Sequence, residues 1–186
     1  MKTIFITSVL ALGLLACDER SKQNNTEMEV TTETIAERSA TAKTEIISLM
    51  ETLFNETDNR NWESVKLTMA DSVYVDYTAL GGDAGSKTPD EIVSGWQALL
   101  LGFDRTVHQP HNFSVWVAGE RASATLDAIA THYIHGAKDG SQWTVFVGYD
   151  TEYVKENEEW KLACIDMSLY DQSGYTELPF QAIEIL

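Results

Sequence analysis

Residues 121–135, RASATLDAIATHYIH, decide the fold, because Ala124, Leu126, Ala128 and Ala130 fall on every second position and lead into His132. A β-strand turns alternate side chains to one face, so this spacing predicts a strand whose inward face ends in an imidazole. A histidine held on such a face, in a chain rich in carboxylates, is a candidate base whose charge can be tuned near neutrality. All four histidines, His108, His111, His132 and His135, lie in this part of the chain.

Working outward, 105–118, 142–155 and 159–169 read as further strands, with turns at Gly119, around Gly136 and Gly140, and at Asn157. Pro110 interrupts the first of them, which predicts a bulge or a sheet edge and prevents side-chain parity from being carried across it. Upstream, Val73-Tyr74-Val75-Asp76-Tyr77 is a strand by composition. Between 33 and 55, Ile35, Ala42, Ile46, Met50, Leu53 and Phe54 recur at helical steps. A short helix follows Asn61, which suits an N-cap. Thr88-Pro89-Asp90-Glu91 combines a capping threonine, a first-turn proline and a glutamate three residues after the cap, so a third helix runs to about Leu101. Helices first and a long antiparallel meander second define an α+β domain, with three N-terminal helices packed on a curved, mostly antiparallel sheet.

The N-terminus carries a different signal. Met1-Lys2 is a short basic start, Ile4 to Leu15 is apolar and uncharged, and Leu14-Leu15-Ala16-Cys17 ends in a cysteine after small residues. Residues 1–16 therefore read as a bacterial secretory leader, too short for a stable membrane span. The Leu-Leu-Ala-Cys sequence resembles a lipobox, which implies acylation of Cys17, anchorage to a membrane and an extracytoplasmic location in the cell envelope. Residues 17–32 are polar and lack an apolar period, as a flexible tether would be. The domain then spans 33–172, followed by a C-terminal tail at 173–186. The chain has 13 basic and 29 acidic residues, a formal net charge of −16; losing the leader, with Lys2 and no acid, makes it −17. Such a surface repels polyanions, so nucleic acid is excluded as a partner. Cys164, left without a disulfide partner if Cys17 is acylated, reads as a buried small hydrophobe.

The helix and strand order, together with Asn61-Trp62, Val75-Asp76-Tyr77, Thr106-Val107-His108, Ala130-Thr131-His132 and Trp160-Lys161-Leu162, resembles the SnoaL-like branch of the nuclear-transport-factor-2-like superfamily. Within that branch it is most similar to the scytalone dehydratases, over about Ile46 to Asp166. The resemblance implies a cone-shaped fold and a catalytic dyad of Asp58 and His132, with His108 as a second pocket histidine and Tyr77 polarising a carbonyl. In these roles His132 is the base, Asp58 holds its tautomer, Tyr77 receives the developing oxyanion and His108 donates to the leaving group. The expected geometry places His132 on the same cavity as Ala128 and Ala130, with the Asp58 carboxylate in hydrogen-bond reach of its ring. The pattern also departs from the family. Thr57 stands where a second carbonyl-directed tyrosine is expected, and Val147 and Tyr149 replace small polar pocket residues. Tyr149, Val147 and Trp96 are thus the candidate substrate contacts.

The chemistry implied is proton abstraction next to a carbonyl, ending in dehydration or double-bond migration, on a small hydrophobic or aromatic molecule and with no cofactor. Purely structural readings stand beside it. Asp58 lies in a polar stretch where aspartate serves as a turn or cap residue, His132 can be a satisfied core histidine, His108 a strand residue at the sheet edge and Tyr77 a packed tyrosine with its hydroxyl in water. A non-catalytic ligand-binding lipoprotein and an interaction module forming a homo-oligomer through its sheet are the two other functional readings. Metal binding is disfavoured, because His108 and His111, like His132 and His135, are three apart on strands and so face opposite ways. Trp96, Trp116, Trp143 and Trp160 read as core or pocket-lining bulk, since no basic residues are interleaved with them.

Overall fold

The computed structural model describes the backbone of residues 16–185 and the side chains of 36–185. The leader and the Cys17 side chain lie outside the described residues. Contacts divide the chain into two units, 1–41 and 42–186. The first helix, α1 (Ala16–Asp58), starts well before the apolar period. The stretch read as a flexible tether at 17–32 is therefore helical here; nothing between Ala16 and Asp58 is a proline or glycine that would stop the helix.

Within the second unit, Ile46, Met50, Leu53, Phe54 and Thr57 form the buried stripe of α1. Ile46, Met50 and Leu53 are fully buried, and each is worth about 1.5–3 kcal/mol relative to exposure. Then follow α2 (Trp62–Leu67), β1 (Met69–Asp76), a 3-10 turn (Thr78–Leu80), β2 (Ala84–Lys87) and α3 (Pro89–Leu100). Asn61 precedes α2, but its side chain makes no capping bond. Thr88 and Glu91 form the expected reciprocal capping box on α3. The long strands are β3 (Arg105–Ala118), β4 (Arg121–Tyr133), β5 (Gln142–Glu156) and β6 (Glu159–Gly174), and α4 (Leu178–Ile185) closes the chain.

The six strands form one sheet in the order β2-β1-β6-β5-β4-β3, antiparallel except for the β1–β6 pair. Composition missed β2, whose sequence Ala-Gly-Ser-Lys has no strand preference; pairing with β1 imposes the extended form. β3 is an edge strand and carries a bulge between His111 and Ser114, with Asn112 at φ 56°, just after Pro110. The bulge changes parity. Thr106 and His108 face inward before it and Val115 after it, which leaves Trp116 on the outer face, 57% exposed, rather than in the core or pocket.

The residues read as a C-terminal tail belong to the fold. Leu178 and Ala182 of α4 are fully buried, and the backbone of Ala182 lies so close to Gly102 that a Cβ there would meet the Ala182 carbonyl oxygen at 1.9 Å. Gly102 is needed for this close approach, where no side chain fits.

Candidate functional site

Register brings the site together. Across β3, β4 and β5 one inward row is Thr106, His132 and Trp143, and the next is His108, Ala130 and Val145. The last residue of α1, Asp58, arrives over the edge strand β3 and bonds to its inward groups. Thr106 Oγ1 donates to Asp58 Oδ1 at 2.7 Å and the His108 backbone N–H to Oδ2 at 2.7 Å. His108 Nδ1 lies 2.6 Å from Oδ1. Burial works to raise the Asp58 pKa, but the hydrogen bonds and charge attraction of His108, with the Thr106 hydroxyl, outweigh it and hold the carboxyl below its usual range. An ionised carboxylate only accepts, so Nδ1 of His108 carries the proton and Nε2 is left as the basic nitrogen.

The expected pairing of Asp58 with His132 is therefore corrected: the carboxylate engages His108. His132 lies one strand farther in, behind Thr106, and its Nδ1 is buried with no hydrogen-bond partner. It is 4% exposed and enclosed by aromatic rings, with Phe103 at 4.9 Å and Trp143 at 4.7 Å between centroids. The two imidazoles meet edge to face at 5.6 Å. Desolvation first, and then the charge of His108, push the His132 pKa down to about 3, so this histidine is neutral at physiological pH. The His108 ring stacks on Phe54 at 5.5 Å, and Phe54 in turn packs at 5.7 Å against Tyr149.

These side chains bound a largely apolar cavity of about 320 Å³. His108, His132, Ala130, Trp143 and Val145 line it from the sheet, Phe54 and Thr57 from α1, and Trp96, Leu99 and Leu100 from α3. Tyr77 and Tyr149 both reach it. Burial pushes both phenols well above their ordinary pKa; for Tyr77 the neighbouring Tyr149 adds to this and the Trp96 indole opposes it. Val147, read as a substrate contact, is fully buried but absent from the lining, because β5 offers Val145 and Tyr149 to the cavity and packs Val147 into the core. Thr57 is buried with its hydroxyl donating to the Leu53 carbonyl at 2.7 Å. At the exposed rim Lys87 and Asp83 form an ion pair at 2.6 Å.

Sequence reasoning missed Arg60. It lies two residues beyond the end of α1 with a left-handed backbone (φ 60°), and its guanidinium donates to the Leu100 carbonyl at 2.9 Å and to that of Phe103. This ties the end of α1, where Asp58 sits, to the segment whose Phe103 ring covers His132. The one available signal was a cation two residues after the candidate carboxylate.

His111 and His135 are exposed, and no group of three or more His, Cys, Asp or Glu among the described residues is placed to hold a metal. Cys164 is half-buried rather than fully so. Burial and the carboxylates Glu152, Asp166 and Asp150 push its thiol up, which disfavours a reactive thiolate.

The fold and this site define an α+β protein of the nuclear-transport-factor-2-like type, with a hydrogen-bonded carboxylate–imidazole pair beside an apolar cavity. The family model of the SnoaL-like domain matches residues 38–165, and the chain belongs to that family. The uncharacterized protein Rv2910c of Mycobacterium tuberculosis is 29% identical over 121 residues, 63% of this chain and 78% of its own. Among solved structures, the Kfla4162 protein from Kribbella flavida superimposes with a TM-score of 0.69 at 19% identity, covering 77% of this chain and 97% of that one. The protein from Novosphingobium aromaticivorans named Putative Scytalone Dehydratase gives 0.64 at 16% identity, with coverages of 78% and 91%. A hexachlorocyclohexane dehydrochlorinase (LinA) Type2 gives 0.63 at 14% identity, with coverages of 74% and 90%. At these identities the structural likeness shows the fold alone.

Proposed function

We propose that this protein abstracts a proton from carbon next to a carbonyl in a small, neutral, hydrophobic or aromatic molecule, leading to loss of water or migration of a double bond. The observation that carries this reading is the partly buried Asp58–His108 pair, 2.6 Å apart, whose imidazole lines an apolar cavity. His108 Nε2 takes the proton, the C–H electron pair moves into an enolate, and Asp58 stabilises the imidazolium that forms. Tyr77 donates to the enolate oxygen. The imidazolium then returns its proton, either to a β-hydroxyl, which leaves as water, or to a more distant carbon, which shifts the double bond. His132, held neutral by burial, serves as a wall of the pocket rather than as the base. We further propose, on the leader sequence alone, that the domain works outside the cytoplasm, tethered through Cys17.

The test needs no knowledge of the natural substrate. A benzo-fused cyclic ketone such as 2-tetralone in D₂O should exchange its α-hydrogens faster with the protein than without, as followed by NMR. His108→Gln should lower the protein-catalysed rate by roughly 10²–10⁴, the usual worth of a positioned base, and Asp58→Asn should lower it by mis-setting the tautomer. Binding of the ketone with no exchange by the wild type would leave a ligand-binding module and remove the enzyme reading.

A further inference from the structure

The solvent-exposed part of the cavity wall comes from one stretch of chain. Leu80, Gly82, Asp83, Glu91 and Gly95 line the cavity and are themselves exposed, whereas the lining residues of α1 and of the long strands are buried or half-buried. The entrance therefore lies between the turn after β1 and the first half of α3. Apart from the two histidines, the charged side chains that line the cavity among the described residues are Asp83, Lys87 and Glu91. All three stand at this entrance.

Local structure fixes each of them. Lys87 pairs with Val73, a buried residue of the inner face, so its side chain leaves β2 on the cavity side. The Tyr77 N–H donates to the Asp83 carbonyl at 3.1 Å, and the Tyr77 carbonyl accepts from the N–H groups of Leu80 and Gly82 at 3.1 and 3.0 Å, which closes the turn and sets Asp83 at the start of β2. The Lys87 ammonium then reaches Asp83 Oδ2 at 2.6 Å. On α3, the Glu91 carboxylate accepts from the Thr88 N–H at 2.8 Å, and it is held below its usual pKa range first by the Thr88 bonds and, more weakly, by the charge of Lys87. One ammonium thus stands against two carboxylates, on a chain of formal charge −16.

We infer that Asp83 is a specificity-determining residue of the cavity: it engages the Lys87 ammonium, with Glu91 as a second carboxylate, and so bars ligands that carry an anionic group while admitting neutral ones. A carboxylate, phosphate or sulfonate at the entrance has to displace Asp83 from Lys87 and stand beside two like charges. A neutral molecule meets neither obstacle. The inference goes beyond the proposed proton abstraction, and it holds whether the cavity catalyses or only binds. Asp83 is exposed, and an exposed ion pair contributes little to stability, so the charge pattern can be altered without unfolding the domain.

The probes are N-phenyl-1-naphthylamine and 8-anilinonaphthalene-1-sulfonate, which share one aromatic skeleton and differ by a sulfonate. Both fluoresce on leaving water, and energy transfer from Trp96 and Trp143, which line the cavity, reports dye bound there. The wild type should bind the neutral dye about 5-fold or more tightly than the sulfonate, with the gap narrowing as salt is raised. Asp83→Asn should tighten the sulfonate about 5-fold, the upper range for one exposed charge interaction, and leave the neutral dye unchanged. Adding Lys87→Gln to it should remove that gain. Glu158→Gln takes the same unit of charge from another lysine-paired carboxylate, at the β5–β6 turn, and should change neither dye. Equal binding of the two dyes by the wild type overturns the inference, as does failure of the wild type to bind the neutral one. So does a Glu158→Gln effect as large as that of Asp83→Asn, or a gain that persists without Lys87. Exchange of 2-tetralone, followed in parallel, keeps the two readings apart: no exchange with dye selectivity that follows Asp83 removes the enzyme and leaves the filter, and exchange with selectivity indifferent to Asp83 does the reverse.

Discussion

Folding stability should fall between pH 7 and pH 5 because of one residue, His132. Its imidazole is buried against Phe103 and Trp143, with His108 at 5.6 Å, and its pKa is pushed from the ordinary 6.5 down to about 3. The unfolded chain takes up a proton at this histidine as pH drops through 6.5, while the folded protein does not until near 3. Its contribution to stability is therefore fully present above 6.5 and is lost progressively as pH falls toward 3. Integrating that difference from pH 7 to pH 5 gives a loss of about 2 kcal/mol, or roughly 4–8 °C in Tm for a chain of this size. Asp58 does not obscure this window. Its lowered pKa makes its contribution present above 3.8 and lost only at more acid pH. The assay is urea denaturation of wild type and His132→Gln at both pH values. Glutamine does not titrate, so whatever the substitution costs at pH 7, the variant should gain on the wild type by about 2 kcal/mol at pH 5. An unchanged gap at the two pH values would refute the argument that burial keeps His132 neutral, and would return it to contention as the base.

Gly102→Ala should destabilise the domain by roughly 1–3 kcal/mol and expose α4 to proteases, because its Cβ would fall 1.9 Å from the Ala182 carbonyl oxygen; limited proteolysis showing no earlier cleavage near residue 178 would contradict the docking of α4. Cys17→Ser should move the protein out of the membrane fraction and stop its labelling by a fatty-acid analogue. Continued labelling of that variant would remove the proposed anchor.

The architecture was legible because its signals are local. The alternation in 121–135, the capping box at Thr88 and the buried stripe of α1 each report an element without reference to its partners. What stayed hidden depends on contacts between distant segments. β2 exists by pairing with β1, α4 by docking at Gly102, and Arg60 matters through carbonyls 40 and 43 residues away. The candidate residues Asp58, His108, His132 and Tyr77 were named from sequence, but the pairing expected among them, Asp58 with His132, is not the one the fold makes. Both histidines lie on inward faces, and nothing in the spacing of β3 and β4 says which one the end of α1 will reach. Pro110 and the bulge beyond it also blocked the parity argument that would have fixed β3.

The division of labour between the two histidines follows from the edge position of β3. A carboxylate at the end of a helix keeps its charge most cheaply where backbone and hydroxyl donors are available, and the edge strand supplies both, through the His108 N–H and Thr106 Oγ1. His108, on the same strand, acquires a fixed tautomer and a counter-ion for the cation it forms. His132, one strand inward, has Phe103 and Trp143 about it and no carboxylate of its own, so the cost of burying a charge decides its state. A charge on His108, edge-on to the His132 ring, is part of that cost. The state of His132 is thus coupled to that of His108: a charge on His108 opposes protonation of His132, and the weaker attraction of Asp58 favours it. Desolvation, the largest cause, is untouched by Asp58→Asn, so the variant should leave His132 neutral near pH 7 while α-hydrogen exchange falls; an NMR titration that placed His132 in its ordinary range in this variant would show that Asp58, not burial, sets its state.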